Sequence, residues 1–148
     1  LAYLKARLAT EVPVATEGGA YLTVRDEDKE NLVPVAQELV AIGFTLYATE
    51  GTADALRRHD VPVTTVYRIA EGKHPDALDL MRQGKVSFIV NVPTVSGGAV
   101  RDGNMMRRLA VELNIPFVTT MRGASMEVAA MRAHIEEDLQ PRKLTVHY

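Results

Sequence analysis

Short runs rich in Val, Ile, Phe, Tyr and Thr alternate along the chain with longer stretches in which apolar residues recur every three or four positions. The runs predict five strands, at residues 20–24, 44–48, 63–69, 86–91 and 117–120, most of them bounded by turn or cap residues. The stretches between them predict helices. Leu32, Ala36, Leu39 and Val40 mark the inner face of the first, Ala53, Leu56 and Arg57 the second, Ala77, Leu80 and Met81 the third, and Met105, Leu109 and Leu113 the fourth. A last helix is expected over 125–139, presenting Val128, Met131 or Arg132, Ile135 and Leu139, with Pro141 closing it and residues 144–148 forming a terminal edge strand. Pro34 sets the start of the first helix: proline is tolerated in a first turn, which places that helix at 31–42, just after Asp28 and Lys29. Strand and helix in strict alternation make an α/β domain, a mostly parallel sheet with helices covering its faces.

At 148 residues the chain suits one domain with one core. Its 47% apolar and 24% charged residues exclude a disordered profile. The formal net charge of −2, with Arg57/Arg58 and Arg107/Arg108 set inside helical patterns, argues against nucleic acid as partner. With no cysteine there is no disulfide, thiolate metal site or cysteine nucleophile, which suits a cytoplasmic protein. No apolar run approaches the roughly 18 residues of a membrane helix, and no signal-peptide pattern opens the chain. Residues 1–18, beginning with Leu1 and running into a loose Pro- and Gly-bearing connector, read as a linker from upstream domains, leaving 19–148 as the domain.

In open α/β sheets, ligands collect beyond the carboxyl ends of the strands. The first strand is followed by Arg25-Asp26-Glu27-Asp28-Lys29, a capped, charged loop that puts Lys29 near a helix start. The second leads into Thr49-Glu50-Gly51-Thr52, where free backbone amides could cradle a phosphate, although a plain turn capped by threonine would look the same. The third ends in Tyr67-Arg68 and runs into Glu71-Gly72-Lys73-His74-Pro75. The fourth opens into Asn91-Val92-Pro93-Thr94-Val95-Ser96-Gly97-Gly98. Lys29, Thr49, Thr52, Arg68, Asn91, Thr94 and Ser96 thus share one face, with cations, hydroxyls and an amide suited to phosphate and ribose.

Catalytic machinery is not legible. Ser87, Ser96 and Ser125 lack a nucleophile-elbow setting. His59, His74, His134 and His147 have neither metal-ligand spacing nor an evident partner and read as surface or helix-end residues. The methionines read as core filling.

Tyr21-Leu22-Thr23-Val24-Arg25-Asp26-Glu27-Asp28-Lys29, Gly43-Phe44, Ala48-Thr49-Glu50-Gly51-Thr52-Ala53, Glu71-Gly72 and Ile89-Val90-Asn91 occur in an order that resembles the methylglyoxal-synthase-like domain. The match is nearest to the C-terminal domain of carbamoyl phosphate synthetase large subunits, extending to Tyr3 through Ala9, Arg107 through Ala110, and Thr119-Thr120. The resemblance implies a Rossmann-like three-layer sandwich that binds a nucleotide effector, UMP as inhibitor or IMP as activator, at Thr23, Lys29, Thr49, Thr52, Arg68 and Asn91, with Thr94 and Ser96 as further contacts. Arg68 stands where the family usually has lysine, which keeps the charge and changes the donor geometry. Thr119 matches a threonine that contacts ornithine at the boundary with the synthetase core. The domain itself would need no cofactor; the parent ligase would use ATP with Mg2+ or Mn2+, and K+ as a further ion, alongside upstream synthetase domains and a glutaminase small subunit, in pyrimidine and arginine biosynthesis.

Three rivals stand against this. Methylglyoxal synthase itself would act on dihydroxyacetone phosphate, and Asp26 and Asp102 occupy positions similar to two of its acidic residues. The glycine-glycine-aspartate segment carrying its principal carboxylate is missing here, with His74 nearby and Asp76 and Asp79 displaced. The related cyclohydrolase domain of purine synthesis has less similar loops. A plain oligomerisation module would explain the fold and leave the clustered phosphate-type residues without a purpose.

Overall fold

A computed structural model describes residues 18–94 and 97–139; the expected linker up to residue 17, Ser96 and the strand at 144–148 lie outside them. Five strands form the sheet: β1 (Gly19–Val24), β2 (Thr45–Ala48), β3 (Thr64–Thr65), β4 (Phe88–Val92) and β5 (Phe117–Val118). Their order is β3-β2-β1-β4-β5 and every pair is parallel. Five α-helices accompany them: α1 (Lys29–Ile42), α2 (Glu50–Arg57), α3 (Ala77–Arg82), α4 (Gly97–Leu113) and α5 (Met121–Leu139).

Because successive residues of a strand face opposite sides, β1 and β4 sort their side chains between two cores. Ala20, Leu22, Val24, Phe88, Val90 and Val92 join Leu32, Ala36 and Leu39 of α1 and Ala124, Val128 and Met131 of α5 on one face. Tyr21 and Ile89 meet Ala77, Leu80 and Met81 of α3 and Met106 and Ala110 of α4 on the other. Helices therefore cover both faces, and the architecture is the expected three-layer sandwich. Starting from β1, the chain steps outward to β2 and β3, then crosses over to β4 and β5 on the other side. The order reverses between β1 and β4, which is where such sheets open a crevice.

Element boundaries differ from the sequence expectations for identifiable reasons. The first helix starts at Lys29, after a 3-10 turn at Asp26–Asp28, so Pro34 falls in its second turn, on the exposed side. The missing proline N–H leaves the Glu30 carbonyl without its helical donor, at a position open to solvent. The third strand is cut to two residues because the chain leaves the edge to close on the following loop: Tyr67 N donates to Pro75 O at 3.1 Å. The fifth is cut because Thr120 caps α5, its Oγ1 accepting from Gly123 N at 2.9 Å, and the helix starts four residues before the expected Ser125. On α4 the buried face is Gly103, Met106 and Ala110, with Leu109 half-buried; Met105 and Leu113 point outward, contrary to the pattern expected. On α5 Met131 is buried, while Arg132 is exposed and pairs with Glu38 of α1.

Phe88 is among the largest fully buried side chains and sits at the centre of the first core. Phe88→Ala is expected to lower unfolding stability by about 3–5 kcal/mol, read from the midpoint of urea denaturation. A loss under about 1 kcal/mol would place that ring outside a close-packed core.

Candidate functional site

Thr49, Thr52, Asp76, Asn91 and Glu127 are the buried polar side chains of the described residues. Three of these five stand at the carboxyl ends of β2 and β4 or in the turn after β2. There a cleft of about 440 Å3 opens, lined by Thr23, Lys29, Thr49, Arg68, Asn91 and Thr94, together with Tyr21, Asp26 and Asp102. A second, wider hollow of about 900 Å3 adjoins it and shares Thr49 and Arg68; its own lining includes Glu50, Gly51, Tyr67 and His74.

Lys29 is the first residue of α1, where the positive end of the helix dipole disfavours a cation. Its ammonium donates to Val24 O at 3.0 Å and to Asp26 Oδ1 at 2.7 Å. It also stands over the start of α2, since a Cβ built on Gly51 would lie 3.9 Å from Lys29 Nζ. Thr49 precedes α2 without capping it through its side chain, so the first amides of that helix keep their orphan N–H groups directed outward. Its hydroxyl lies 3.4 Å from that of Thr23. Two hydroxyls, an ammonium and the positive end of a helix dipole thus converge on one spot, an arrangement that accepts an oxyanion.

Thr52 is placed differently from the sequence expectation. It is 2% exposed and lies beneath the cleft rather than in its lining, accepting from Val24 N at 3.3 Å. Its side chain ties the start of α2 to the end of β1. Arg68 follows β3 at the opening of a 3-10 turn, Ile69–Glu71, and is exposed, with no carboxylate at salt-bridge distance among the described residues. Asn91 is 5% exposed on the α4 side of β4. Thr94 is exposed at the rim. Ser96 lies outside the described residues. Thr119, half-buried beyond the end of β5, is not part of either lining.

Three carboxylates shape the field around these groups. Asp26 is held below the usual carboxylate range by the hydrogen bond from Lys29 and then by that cation's charge. Asp102 faces the cleft from α4 and accepts from Ala70 N at 3.3 Å. Tyr21 lines the floor, and its phenol is pushed well above its ordinary value by burial first, then by Asp102 and Asp76, with Arg68 pulling the other way. It therefore remains a neutral donor.

Sequence reasoning missed the setting of His74. Its Nδ1 lies 2.6 Å from Asp79 Oδ2, a hydrogen bond that holds the imidazole above its ordinary value; the Asp79 carboxyl is held below its ordinary value by the Asp76 backbone amide first and by His74 second. Asp76 and Asp79 exchange hydrogen bonds at 3.0 Å, side chain to backbone amide in each direction. His74, Asp76 and Asp79 lie within 4.8 Å of one another, yet these contacts make them the N-terminal cap of α3. The five-residue spacing from His74 to Asp79 gave no periodic signal, because the connection crosses a turn.

The profile of the MGS-like domain family matches residues 31–119. A Methanocaldococcus jannaschii protein described as carbamoyl phosphate synthase large chain, C-terminal section, is 44% identical over 133 residues, covering 89% of this chain and 21% of its own length. The Methanopyrus kandleri protein of the same description is 42% identical over 130 residues, 88% of this chain and 24% of its own. A Methanosarcina barkeri carbamoyl phosphate synthase large chain is 41% identical over 130 residues, 88% of this chain and 12% of its own. This chain thus spans a quarter or less of those relatives. Among solved structures, methylglyoxal synthase from Elizabethkingia anophelis superposes with a TM-score of 0.56 over 78% of this chain and 79% of its own, at 16% identity, a likeness of fold alone.

The geometry of Asp26 leads to a test. Its side chain is 95% exposed and neutralises Lys29 at 2.7 Å, so an incoming anion competes with it for that cation. Asp26→Asn is expected to tighten binding of inorganic phosphate roughly two- to fivefold, the worth of an exposed ion pair, as read by calorimetry on the intact protein. Unchanged or weaker phosphate binding would show that Asp26 does not compete for the ammonium.

Proposed function

This chain belongs to the MGS-like domain family and is related over most of its length to C-terminal sections of carbamoyl phosphate synthase large chains, and on that premise we propose that it is the nucleotide-sensing regulatory domain of such a synthase. The observation that carries the reading is the convergence of Lys29, Thr23, Thr49 and the open N-terminus of α2 on one spot, with Arg68 beside it and Asn91 deeper in the cleft. The first set suits a phosphate. Asn91 and Thr94 line the same cleft and offer donors and acceptors suited to a ribose or base, and a volume of about 440 Å3 is within the range of small-ligand sites. UMP as inhibitor or IMP as activator fits this chemistry.

Regulation then requires that the nucleotide favour one arrangement of the whole subunit over another. The parent protein would supply the ligase chemistry with ATP and a divalent ion in upstream domains, with a glutaminase subunit as partner, in the cytoplasm. Thr119, on the far side of β4 from the cleft, would face those domains and respond to ornithine rather than to nucleotide.

One observation favours the rival lyase reading: the Asp26 and Asp102 carboxylates both line the cleft. Neither is placed as a base. Asp26 is tied to Lys29 and held below its ordinary range, and Asp102 is engaged by the Ala70 amide. At the start of α3, Asp76 and Asp79 are turned into the helix cap. Enolising a triose phosphate needs a base within reach of the carbon-bound proton.

Two outcomes follow. Lys29→Ala in the intact synthase is expected to weaken UMP binding by about ten- to a hundredfold, the worth of a charge-assisted hydrogen bond, and Arg68→Ala to abolish the nucleotide response while the effector-free rate stays near normal. Calorimetry and synthase assays at subsaturating ATP measure these; equal loss of effector-free activity in Arg68→Ala would replace regulation by a direct catalytic or folding role. The chain is also expected to form no methylglyoxal from dihydroxyacetone phosphate above buffer background, and sustained turnover abolished by Asp102→Ala would overturn the regulatory reading.

A further inference from the structure

Gly103 sits at the seventh position of the seventeen-residue helix α4, on its buried face. A glycine in a helix interior costs about 1 kcal/mol relative to alanine, so its presence there calls for a reason in packing. The reason is a single contact. A Cβ built on Gly103 would lie 2.6 Å from Asn91 Nδ2 and 3.7 Å from Asn91 Cγ, and nothing else among the described residues outside the helix comes within 4 Å.

Asn91 is the polar member of the alternation along β4, facing α4 between the buried Val90 and Val92. Its amide has no side-chain hydrogen bond to any described residue, and it is not among polar atoms sealed from solvent without a partner. The amide is thus pressed on one side by the bare backbone at Gly103 and open on the other to the cleft it lines. No hydrogen bond fixes its rotation; the close approach of the helix does.

We propose that Gly103 is a positioning residue for the nucleotide site: its bare backbone lets the Asn91 NH2 group pack against α4, which fixes the orientation in which the amide is presented to the ligand. This rests on the reading of the cleft as a nucleotide site. A methyl group at 103 cannot coexist with the amide where it now stands. The obstructing atom is the free end of a side chain, so the amide swings away and the backbone stays in place. The helix meanwhile gains the propensity of alanine. Substitution therefore separates folding from recognition.

The test uses the intact protein with Gly103→Ala, Asn91→Ala and the double variant, each titrated with UMP and IMP by calorimetry and melted in parallel. Gly103→Ala is expected to melt at or above the wild-type temperature and to bind nucleotide about two- to tenfold more weakly, the range for one lost neutral hydrogen bond. In the Asn91→Ala background, where the methyl group has room, Gly103→Ala should cause no further loss, since the two changes act through one group. Wild-type affinity in Gly103→Ala would overturn the proposal, and so would equal weakening with and without Asn91, which would mean that the methyl meets the ligand directly. Should the single variant fail to fold while the double variant folds, the contact would be structural and the positioning role would fall. Absence of any UMP or IMP binding by the wild-type protein would instead remove the functional reading itself, and this inference with it.

Discussion

Parallel pairing of β1 with β4, in register from Ala20 against Phe88 to Val24 against Val92, brings the carboxyl ends of the two central strands side by side. Both strands are covered on both faces, so a slip of one residue would turn Leu22 or Val90 out of its core and push Tyr21 or Asn91 into the wrong one. That penalty holds the register. Held register in turn sets Thr23 beside Asn91 and brings the turns after β1 and β2 together, so the cleft is a consequence of core packing rather than a feature added to it.

Near the ends of these strands the face towards α4 changes character. Tyr21 and Ile89 are core residues; one step further along the same face come Thr23 and Asn91, which line the cleft. The opposite face stays apolar through Val24 and Val92. The sheet thus keeps one complete core while the other gives way to polar groups. Thr52 joins the layers below this transition by bonding the end of β1, which keeps the start of α2 fixed relative to Lys29. An anion arriving there meets donors whose positions are set by buried structure, so little ordering is needed on binding.

The same packing explains why carboxylates and cations coexist in one cleft. At the positive end of α1 the Lys29 ammonium is held by the Asp26 carboxylate and the Val24 carbonyl, and Asp102 is held by the amide of Ala70. Arg68 is the exception: its backbone N–H donates to Glu71, while its exposed guanidinium has no carboxylate at salt-bridge distance among the described residues. Its cation is available to a ligand at the junction of the two hollows.

Alternating apolar runs and helical periodicity were enough to locate the five strands and five helices of the described residues, because burial on both faces leaves β1 and β4 almost continuously apolar and gives the helices a three-to-four repeat. The loops that carry Lys29, Thr49, Arg68, Asn91 and Thr94 were legible for the same reason: parallel topology sends every strand's carboxyl end to one edge. What only the tertiary structure decided are contacts between residues far apart in sequence or across irregular turns. Thr52, grouped in the sequence with the phosphate-type residues of the strand-end loops, becomes a buried tie when Val24 is placed beside it. The inner face of α4 shifted from Met105 and Leu113 to Met106 and Ala110 because the helix rests on β4 through a residue with no side chain. Periodicity counts apolar side chains, and a glycine chosen for close approach contributes nothing to that count, so the position that settles how α4 meets Asn91 is the one the pattern could not see.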